Sequence, residues 1–483
     1  MASASALPSQ KTAFVPASAT VHPENTLAKS TIVDDRRTVK IANADRLMWY
    51  MTDDEHPMVV NATVFLEQPI SLQSLKDRAE EMVKEYPILS CKISSDFHWT
   101  PCRYDPVEHS KTVILSPEQN LQEYIASKLT QGIDFDRPMW EWEVVSKPDE
   151  GKHLLLVRVH HVVGDGVALM TLMDHLLGKE PAVWTYKKYH VVPVCATLTC
   201  GNPCYLDMVN GKWKTICGLL KLFLMIVFGF IIPIIPLSIM FMWKDPKNPL
   251  QMKGAHKKRV CAWSKDMSYE DIANIGHSIR GTVNDTCCAI ISGALHRYLE
   301  QTTGKRPRRA LKCIIPVSVR GKKERYHLNN RVGALFVSLP IGTKSRQRRL
   351  SLCKYRMDIM KLSPAVPVAM LFIRMTTKLL GNQLCKRLQF MYSAKASLIF
   401  SNVMGSPTEA SFLGSKVLGI MGFVPLPGKL GLGVTVTSYN GFIKMGFSAD
   451  PVALVDPGLF LRLLEEEFDL MRKEVLDKDV ETA

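Results

Sequence analysis

Apolar positions along the chain follow two periods. The runs at 58–65 and 153–161 are strand-like, whereas 72–85 and 121–129 repeat apolar residues at three- and four-residue spacing and predict amphipathic helices. The same alternation returns later: a helical period over 284–299, then strands over 311–319 and 332–340. Residues 434–447 alternate around Asn440-Gly441, a dipeptide suited to the positive φ angles of a type I′ hairpin turn. The last helix is punctuated by Asp456 as N-cap and Pro457 at the first helical position, with Leu459, Phe460, Leu463, Leu464, Phe468 and Met471 on one face. Strands and helices mixed in both halves predict two α/β domains. Residues 181–215 are rich in Pro, Cys and Tyr without a period and read as an exposed connection. No repeat of 20–50 residues occurs.

One stretch breaks the pattern. Residues 222–243 carry no charge, and as a helix these 22 residues would extend about 33 Å, enough for a bilayer core. Lys212, Lys214 and Lys221 precede it, Lys244 and Lys247 follow, and Trp213 before it and Trp243 at its end take headgroup-like positions. Pro233 and Pro236 would kink it, so a re-entrant insertion competes with a straight span, and a buried core helix is the bland alternative. The expected organisation is a disordered leader over 1–40, a first subdomain over 41–180, a connection over 181–258 that holds the membrane segment, and a second subdomain over 259–483.

Composition narrows the classes. The 483 residues are 46% hydrophobic and 22% charged, ordinary globular usage that excludes collagenous, coiled-coil and wholly disordered chains. A mean hydropathy of +0.01 excludes a polytopic membrane protein but not one apolar segment. The net charge of +15 suggests an anionic partner, with clusters at Lys305, Arg306, Arg308, Arg309 and at Lys344, Arg346, Arg348, Arg349. No zinc finger or RNA-binding aromatic run accompanies them, so no nucleic-acid partner is expected. The twelve cysteines lack paired CxxC spacing; no metal is expected, and Cys200 and Cys204 are only loosely spaced. Reduced thiols in a protein facing the cytosol fit this usage.

The chemistry concentrates at 153–178. Strand alternation puts Leu155, Val157, Val159 and His161 on one face and Leu154, Leu156, Arg158 and His160 on the other. Only one of the two adjacent histidines can therefore line a given cavity. A neutral imidazole suits a general base near neutral pH. Asp165, in the Gly164-Asp165-Gly166 turn, could cap the following helix or pair with a cation. A structural histidine pair and a simple N-cap are the plainer alternatives.

Taken with its spacing, HHVVGDG (residues 160–166) resembles the HHxxxDG motif of CoA-dependent acyltransferases, a superfamily that includes chloramphenicol acetyltransferase, plant BAHD enzymes and peptide-synthetase condensation domains. Further stretches narrow the resemblance to the wax ester synthase/diacylglycerol acyltransferase family. Pro138-Met139-Trp140-Glu141 is similar to its PLWE, and Asn284-Asp285 to its ND. Pro316 to Arg320 with Asn330-Arg331-Val332 resembles PVSLR and NRV, and the stretch from Asn402 to Pro407 resembles NVPGP. Departures exist: Asn43-Ala44-Asp45 stands at the SPxD element, Met404 replaces a proline, and the DFGWG element of BAHD enzymes is absent.

The resemblance implies an α/β fold of two chloramphenicol-acetyltransferase-like domains with a tunnel at their interface. It implies transfer of a fatty acyl group from acyl-CoA to a long-chain alcohol, to diacylglycerol, or to both. Sterol, short-alcohol or amine acceptors, and a silent lipid-binding homologue, are the alternatives. In that frame His161 is the general base, His160 supports it, and Asp165 orients the junction through an arginine, for which Arg320 is the candidate. Gly166 permits the turn, Asn284 is the candidate for substrate positioning or oxyanion stabilisation, and Asp285 and Asn402 complete the motif set. Acyl-CoA is then a co-substrate with no cofactor, the partners are lipid substrates and membrane lipid, and no obligate protein partner is implied. A cytosol-facing membrane, by default the endoplasmic reticulum, is the expected location.

Overall fold

The structure, a computed structural model, describes residues 39–179, 244–252, 257–320, 327–363 and 365–477. The apolar stretch 222–243, the leader before residue 39 and Cys200 and Cys204 lie outside the described residues. Among the described residues, no single helix is long and apolar enough to cross a membrane.

The first half runs β1 (Val39–Lys40), α1 (Asn43–Tyr50), β2 (Val59–Leu66), α2 (Leu72–Glu85), β3 (Cys91–Ile93), β4 (His98–Pro101), α3 (Pro106–His109), β5 (Ser110–Ile114), α4 (Leu121–Lys128), β6 (Trp140–Lys147), β7 (Lys152–His160) and α5 (Gly166–Leu176). The second half opens with β8 (Val260–Trp263), β9 (Met267–Ser268), α6 (Tyr269–His277) and α7 (Val283–Thr303), followed by β10 (Leu311–Ser318) and β11 (Val332–Leu339). Three helices follow, α8 (Arg346–Leu362), α9 (Ala365–Leu379) and α10 (Asn382–Ser393). The chain ends with β12 (Leu398–Met404), β13 (Ser411–Phe412), β14 (Ser415–Phe423), β15 (Leu432–Tyr439), β16 (Phe442–Ala449) and α11 (Pro457–Val475).

Local chemistry explains most of these boundaries. Helix α2 buries Leu75, Ala79 and Met82, one face of a 3.6-residue period. Asp456 caps α11 by accepting from the Leu459 amide at 2.8 Å, and Pro457 occupies the first turn where no amide partner is needed. Asn440 and Gly441 have φ of 46° and 77°, which joins β15 to β16 by the expected two-residue turn.

Two large sheets result. The first has the order β13-β14-β2-β7-β6-β5, and the second β11-β10-β12-β15-β16-β8 with β9 added beside β16. The mixed α/β architecture is as expected, with one crossing. Strand β14, from the second half, pairs antiparallel with β2, so residues 411–423 belong to the first sheet. A division of the chain at 41–180 and 259–483 is therefore not a division of the sheets.

The second half closes its core around α7, whose residues Cys287 to Leu295 are all buried against α8, α11 and the sheet. Full burial of each large aliphatic side chain contributes roughly 1.5–3 kcal/mol. A buried ion pair crosses this core: Arg349 meets Glu467, and Gly293 leaves the room, since a Cβ there would come within 2.5 Å of both side chains. This corrects one element of the charge pattern. Arg349 is a core residue, and Arg346 is engaged with Glu467 and Glu474, so half of the cluster at 344–349 is structural.

Candidate active site

A cavity of about 1590 Å³, counting the solvent at its mouth, lies between the two sheets. Its walls are mostly apolar and come from both halves, including Val157 and Val159 of β7, Leu169 and Leu172 of α5, and Ile314 of β10. Helices α1, α9 and α10 contribute Met48, Ile373 and Tyr392. Such a space suits a long apolar ligand held by a few polar groups.

His161 lines this cavity and His160 does not, as the alternation along β7 requires. His160 is fully buried behind the strand. Its Nδ1 accepts from the Val162 amide at 3.2 Å, so its Nε2 carries the proton and donates to Thr52 Oγ1 at 3.0 Å. Burial, reinforced by the neighbouring His161, pushes its pKa down to about 3, and the ring stays neutral. Trp49 and Phe135 pack edge-on against it.

His161 is tied differently. Its Nδ1 lies 3.0 Å from Asn330 Oδ1. The Asn330 amide cannot be turned over, because Nδ2 donates to Asp45 Oδ1 at 2.9 Å and to the His161 carbonyl at 2.7 Å, both acceptors. Oδ1 must therefore accept from Nδ1–H of His161. That fixes the tautomer and leaves the Nε2 lone pair free. Burial holds the His161 pKa below its usual value, opposed by its own carbonyl, Asp165 and Asn330. The ring is thus a neutral proton acceptor at pH 7.

Behind Asn330 stands Asp45, 3% exposed, which accepts at Oδ1 from the Asn330 backbone amide (2.7 Å) as well as the side chain, and at Oδ2 from Ala42 (3.3 Å). Its contacts are amides, and burial raises its pKa to about 7 despite those bonds. Neither Asn330 nor Asp45 was among the expected functional residues, although both sit in the motif stretches. The missing signal was spatial, because 285 positions separate them along the chain.

Asp165 sits at the strand-to-helix junction, at the start of α5. Its Oδ1 caps α5 through the Val167 and Ala168 amides at 3.1 and 3.0 Å. Arg320 closes on it from Nη2 at 3.0 Å and Nε at 3.3 Å. The Arg331 amide adds a 2.7 Å bond to Oδ2, and Arg320 Nη1 donates to the His327 carbonyl at 2.9 Å. One buried ion pair therefore straps 327–331 to the junction, and it is this strap that presents Asn330 to His161. Gly166 has an ordinary negative φ; its importance is space, since a Cβ there would stand 3.1 Å from Val403 Cγ2. That replaces the expected turn-permitting role.

The remaining motif residues are not brought to His161. Asn402 Nδ2 donates to Asn284 Oδ1 at 2.5 Å, and neither residue lines the cavity; the β12 residues that do are Ile399, Ser401 and Val403. Asp285 accepts from the Thr282 amide (2.7 Å) and hydroxyl (2.8 Å), a cap for α7. The oxyanion role expected of Asn284 is not supported by this placement. Hydroxyl-bearing residues on the cavity wall are Tyr392, Ser393, Ser401, Thr435 and Thr437; Tyr392 and Ser393 already donate to the Ala334 and Phe390 carbonyls. Among the described residues no group of His, Cys, Asp and Glu is arranged to hold a metal.

Residues 41–199 match the wax ester synthase/diacylglycerol acyltransferase catalytic domain, and residues 328–472 match the C-terminal domain of the same family. Wax ester synthase/diacylglycerol acyltransferase 11 of Arabidopsis thaliana is 24% identical over 398 residues, covering 76% of this chain and 79% of that protein. Acyltransferase 2 of the same plant is 22% identical over 420 residues, with 77% and 81% covered. Among solved structures, the wax ester synthase/diacylglycerol acyltransferase of Marinobacter aquaeolei VT8 superposes with a TM-score of 0.60 at 18% identity, over 90% of this chain and all of that one. The first condensation domain of the CDA synthetase superposes with 0.53 at 13% identity, over 92% and 97%. With the two matched segments spanning well over half its length, and with the HHxxxDG junction, its strap and the cavity in place, the chain belongs to the wax ester synthase/diacylglycerol acyltransferase family.

Proposed function

We propose that this protein is an acyl-CoA-dependent O-acyltransferase that esterifies a long-chain alcohol, diacylglycerol, or both. The observation that carries the reading is the unprotonated Nε2 of His161, set on the wall of an apolar cavity by the Asn330 lock. Family membership and the names of the Arabidopsis relatives support the acyl and acceptor classes.

The chemistry follows from that atom. Nε2 takes the proton of the acceptor hydroxyl as its oxygen bonds to the thioester carbonyl carbon. The tetrahedral intermediate collapses, the C–S bond breaks, and the departing CoA sulfur takes the proton back from the imidazolium. The products are an ester and free CoA, and His161 ends neutral. A thioester is already activated, so neither a cofactor nor an acyl-enzyme is needed. The hydroxyls of Ser401, Thr435 and Thr437 supply donors on the cavity wall. Those of Thr435 and Thr437 already accept weak bonds from the Val424 and Gly422 amides, which leaves their protons free to point inward.

The choice of acceptor is tested by incubating membranes bearing the protein with acyl-CoA and either a fatty alcohol or diacylglycerol, then separating the products. Wax ester or triacylglycerol above the background of a His161→Ala control supports the reading; neither product rejects it. Association with a cytosol-facing membrane, the endoplasmic reticulum by default, rests on the uncharged stretch 222–243. Deleting it should release the protein into the soluble fraction, and undiminished sedimentation with membranes would reject that anchor.

A further inference from the structure

Helix α9 carries its largest exposed apolar side chains on its outer face. Its fully buried positions are small or polar (Ala365, Ala369, Thr376 and Thr377), with Val366, Val368 and Ile373 half-buried beside them, whereas Leu371, Phe372, Met375 and Leu379 are 56, 43, 50 and 70% exposed. Leu371, Met375 and Leu379 are spaced by four and form one stripe. Helix α10 repeats the feature seven residues apart with Leu384 and Met391, 48 and 57% exposed. Exposed large apolar side chains scattered singly need no explanation; a row of them along one helix does.

Charge selects the occupant. The stretch 359–408 contains no Asp or Glu, and Arg374, Lys378 and Arg387 are exposed on α9 and α10 with no ion pair among the described residues. An apolar stripe edged only by cations is the pattern of a helix lying in an anionic bilayer interface. Fifteen residues give about 22 Å of helix, too short to span a hydrocarbon core of about 30 Å, so the helix lies on the surface. Its position gives that contact a purpose. Ile373 of α9 and Tyr392 of α10 line the cavity, so one layer of helix separates the outer stripe from the space that holds His161.

We propose that α9 and α10 form a docking surface for an anionic membrane, seating the cavity against the lipid from which the acceptor is drawn. The lipid nature of the acceptor rests on the acyl-transfer reading; the docking itself does not, and the test separates them. In the full-length protein, Met375→Trp is compared with Val107→Trp, an exposed apolar position on α3 in the first half. Vesicles of phosphatidylcholine and phosphatidylserine carrying brominated acyl chains should quench the tryptophan added at 375 and leave that at 107 unaffected. Equal quenching at both positions, or none at 375, overturns the proposal whatever the enzyme's activity. Quenching at 375 in a protein that makes no ester would leave docking intact and reject acyl transfer instead.

A second measurement uses the rate. Leu371→Ser, Met375→Ser and Leu379→Ser combined should lower turnover of a lipid acceptor in these vesicles about tenfold or more, with little change for the same acceptor in detergent micelles. Arg374→Gln with Lys378→Gln should lose rate on vesicles containing phosphatidylserine and not on pure phosphatidylcholine. An equal loss in micelles and vesicles would assign the stripe to folding, and a dimer dissolved by the triple variant without any loss of rate on vesicles would assign it to a second copy of the chain. Either result overturns the proposal.

Discussion

The last residue of β7 and the one just past it carry the same side chain to opposite sides and treat it in opposite ways. On the cavity side, His161 keeps a free Nε2 because Asn330 holds its other nitrogen. On the far side, His160 spends both nitrogens on Val162 and Thr52 and lies between aromatic rings. Both rings are neutral, so charge does not separate them. What separates them is which nitrogen carries the proton and whether the bare one meets ligand space or an amide. In the proposed reaction, the base is set apart by the partner of its opposite nitrogen.

The sharpest way to break that comparison is to remove each ring. His161→Ala should lower turnover about 10²- to 10⁴-fold while leaving the unfolding midpoint close to that of the parent protein. His160→Ala should do the reverse: a loss of roughly 2–3 kcal/mol in denaturant unfolding, from the cavity and the stranded Val162 amide, with turnover per folded molecule within a few-fold. Exchange of these two outcomes would reverse the assignment of the base.

Next in size is the strap. Asp165 and Arg320 are 4 and 3% exposed in their side chains, so Asp165→Asn leaves a buried guanidinium without its counter-charge. Breaking such a pair from one side costs about 3–5 kcal/mol, measurable by urea unfolding. The expected variant is poorly folded, with its residual folded fraction slowed because 327–331 no longer presents Asn330. An Asp165→Asn protein of parental stability and rate would remove the strap from the mechanism.

Asn330→Ala tests the lock with the strap left intact. Without Oδ1 the ring can carry its proton on either nitrogen, and the fraction with a bare Nε2 falls. The expected loss in kcat is about 10²-fold, short of the loss when the wrong tautomer is enforced, because the ring can still populate the tautomer with a bare Nε2. KM should change little, since Asn330 is not on the cavity wall. A KM effect with unchanged kcat would make Asn330 a binding residue.

How much of this was legible in the sequence follows the range of the interactions. Helix α2, the Asn440-Gly441 hairpin and the capped α11 are set by neighbours within a few residues, and their patterns were plain. The alternation that separates His160 from His161 is equally local, and so is the role of Asp165 as a cap. Arg320 could be named as its partner through family resemblance alone, 155 positions away. Three features had no local signal. Strand β14 joins the first sheet by pairing with β2 across the molecule. Helices α9 and α10 repeat apolar residues at helical spacing, but nothing in that spacing says that Leu371, Met375, Leu379, Leu384 and Met391 face outward. Asn284 was named for the cavity, but Asn402 holds it elsewhere: alternate residues of β12 face opposite sides, and the cavity receives Ser401 and Val403.

The smallest expected effect lies at the far end of the lock and is read through pH. Asp45 has its pKa raised to about 7 by burial, against 3.8 for an unburied carboxyl. Between those values the folded protein holds a proton that the unfolded chain releases. Stability contributed by the protonated form is therefore complete below about pH 3.8 and is lost as pH rises through about 7. Activity should move the other way. The ionised carboxylate polarises the Asn330 amide and favours the imidazolium formed at His161, so kcat should gain an inflection near pH 7 on its rising side. Asp45→Asn keeps an acceptor for Asn330 but has no charge to titrate. Its stability should be flat across this window, its kcat about tenfold below the parent at alkaline pH, and the inflection near 7 absent. An inflection that persists in the variant would belong to another group. The two histidines would then differ only in their immediate bonds, with nothing behind Asn330 contributing.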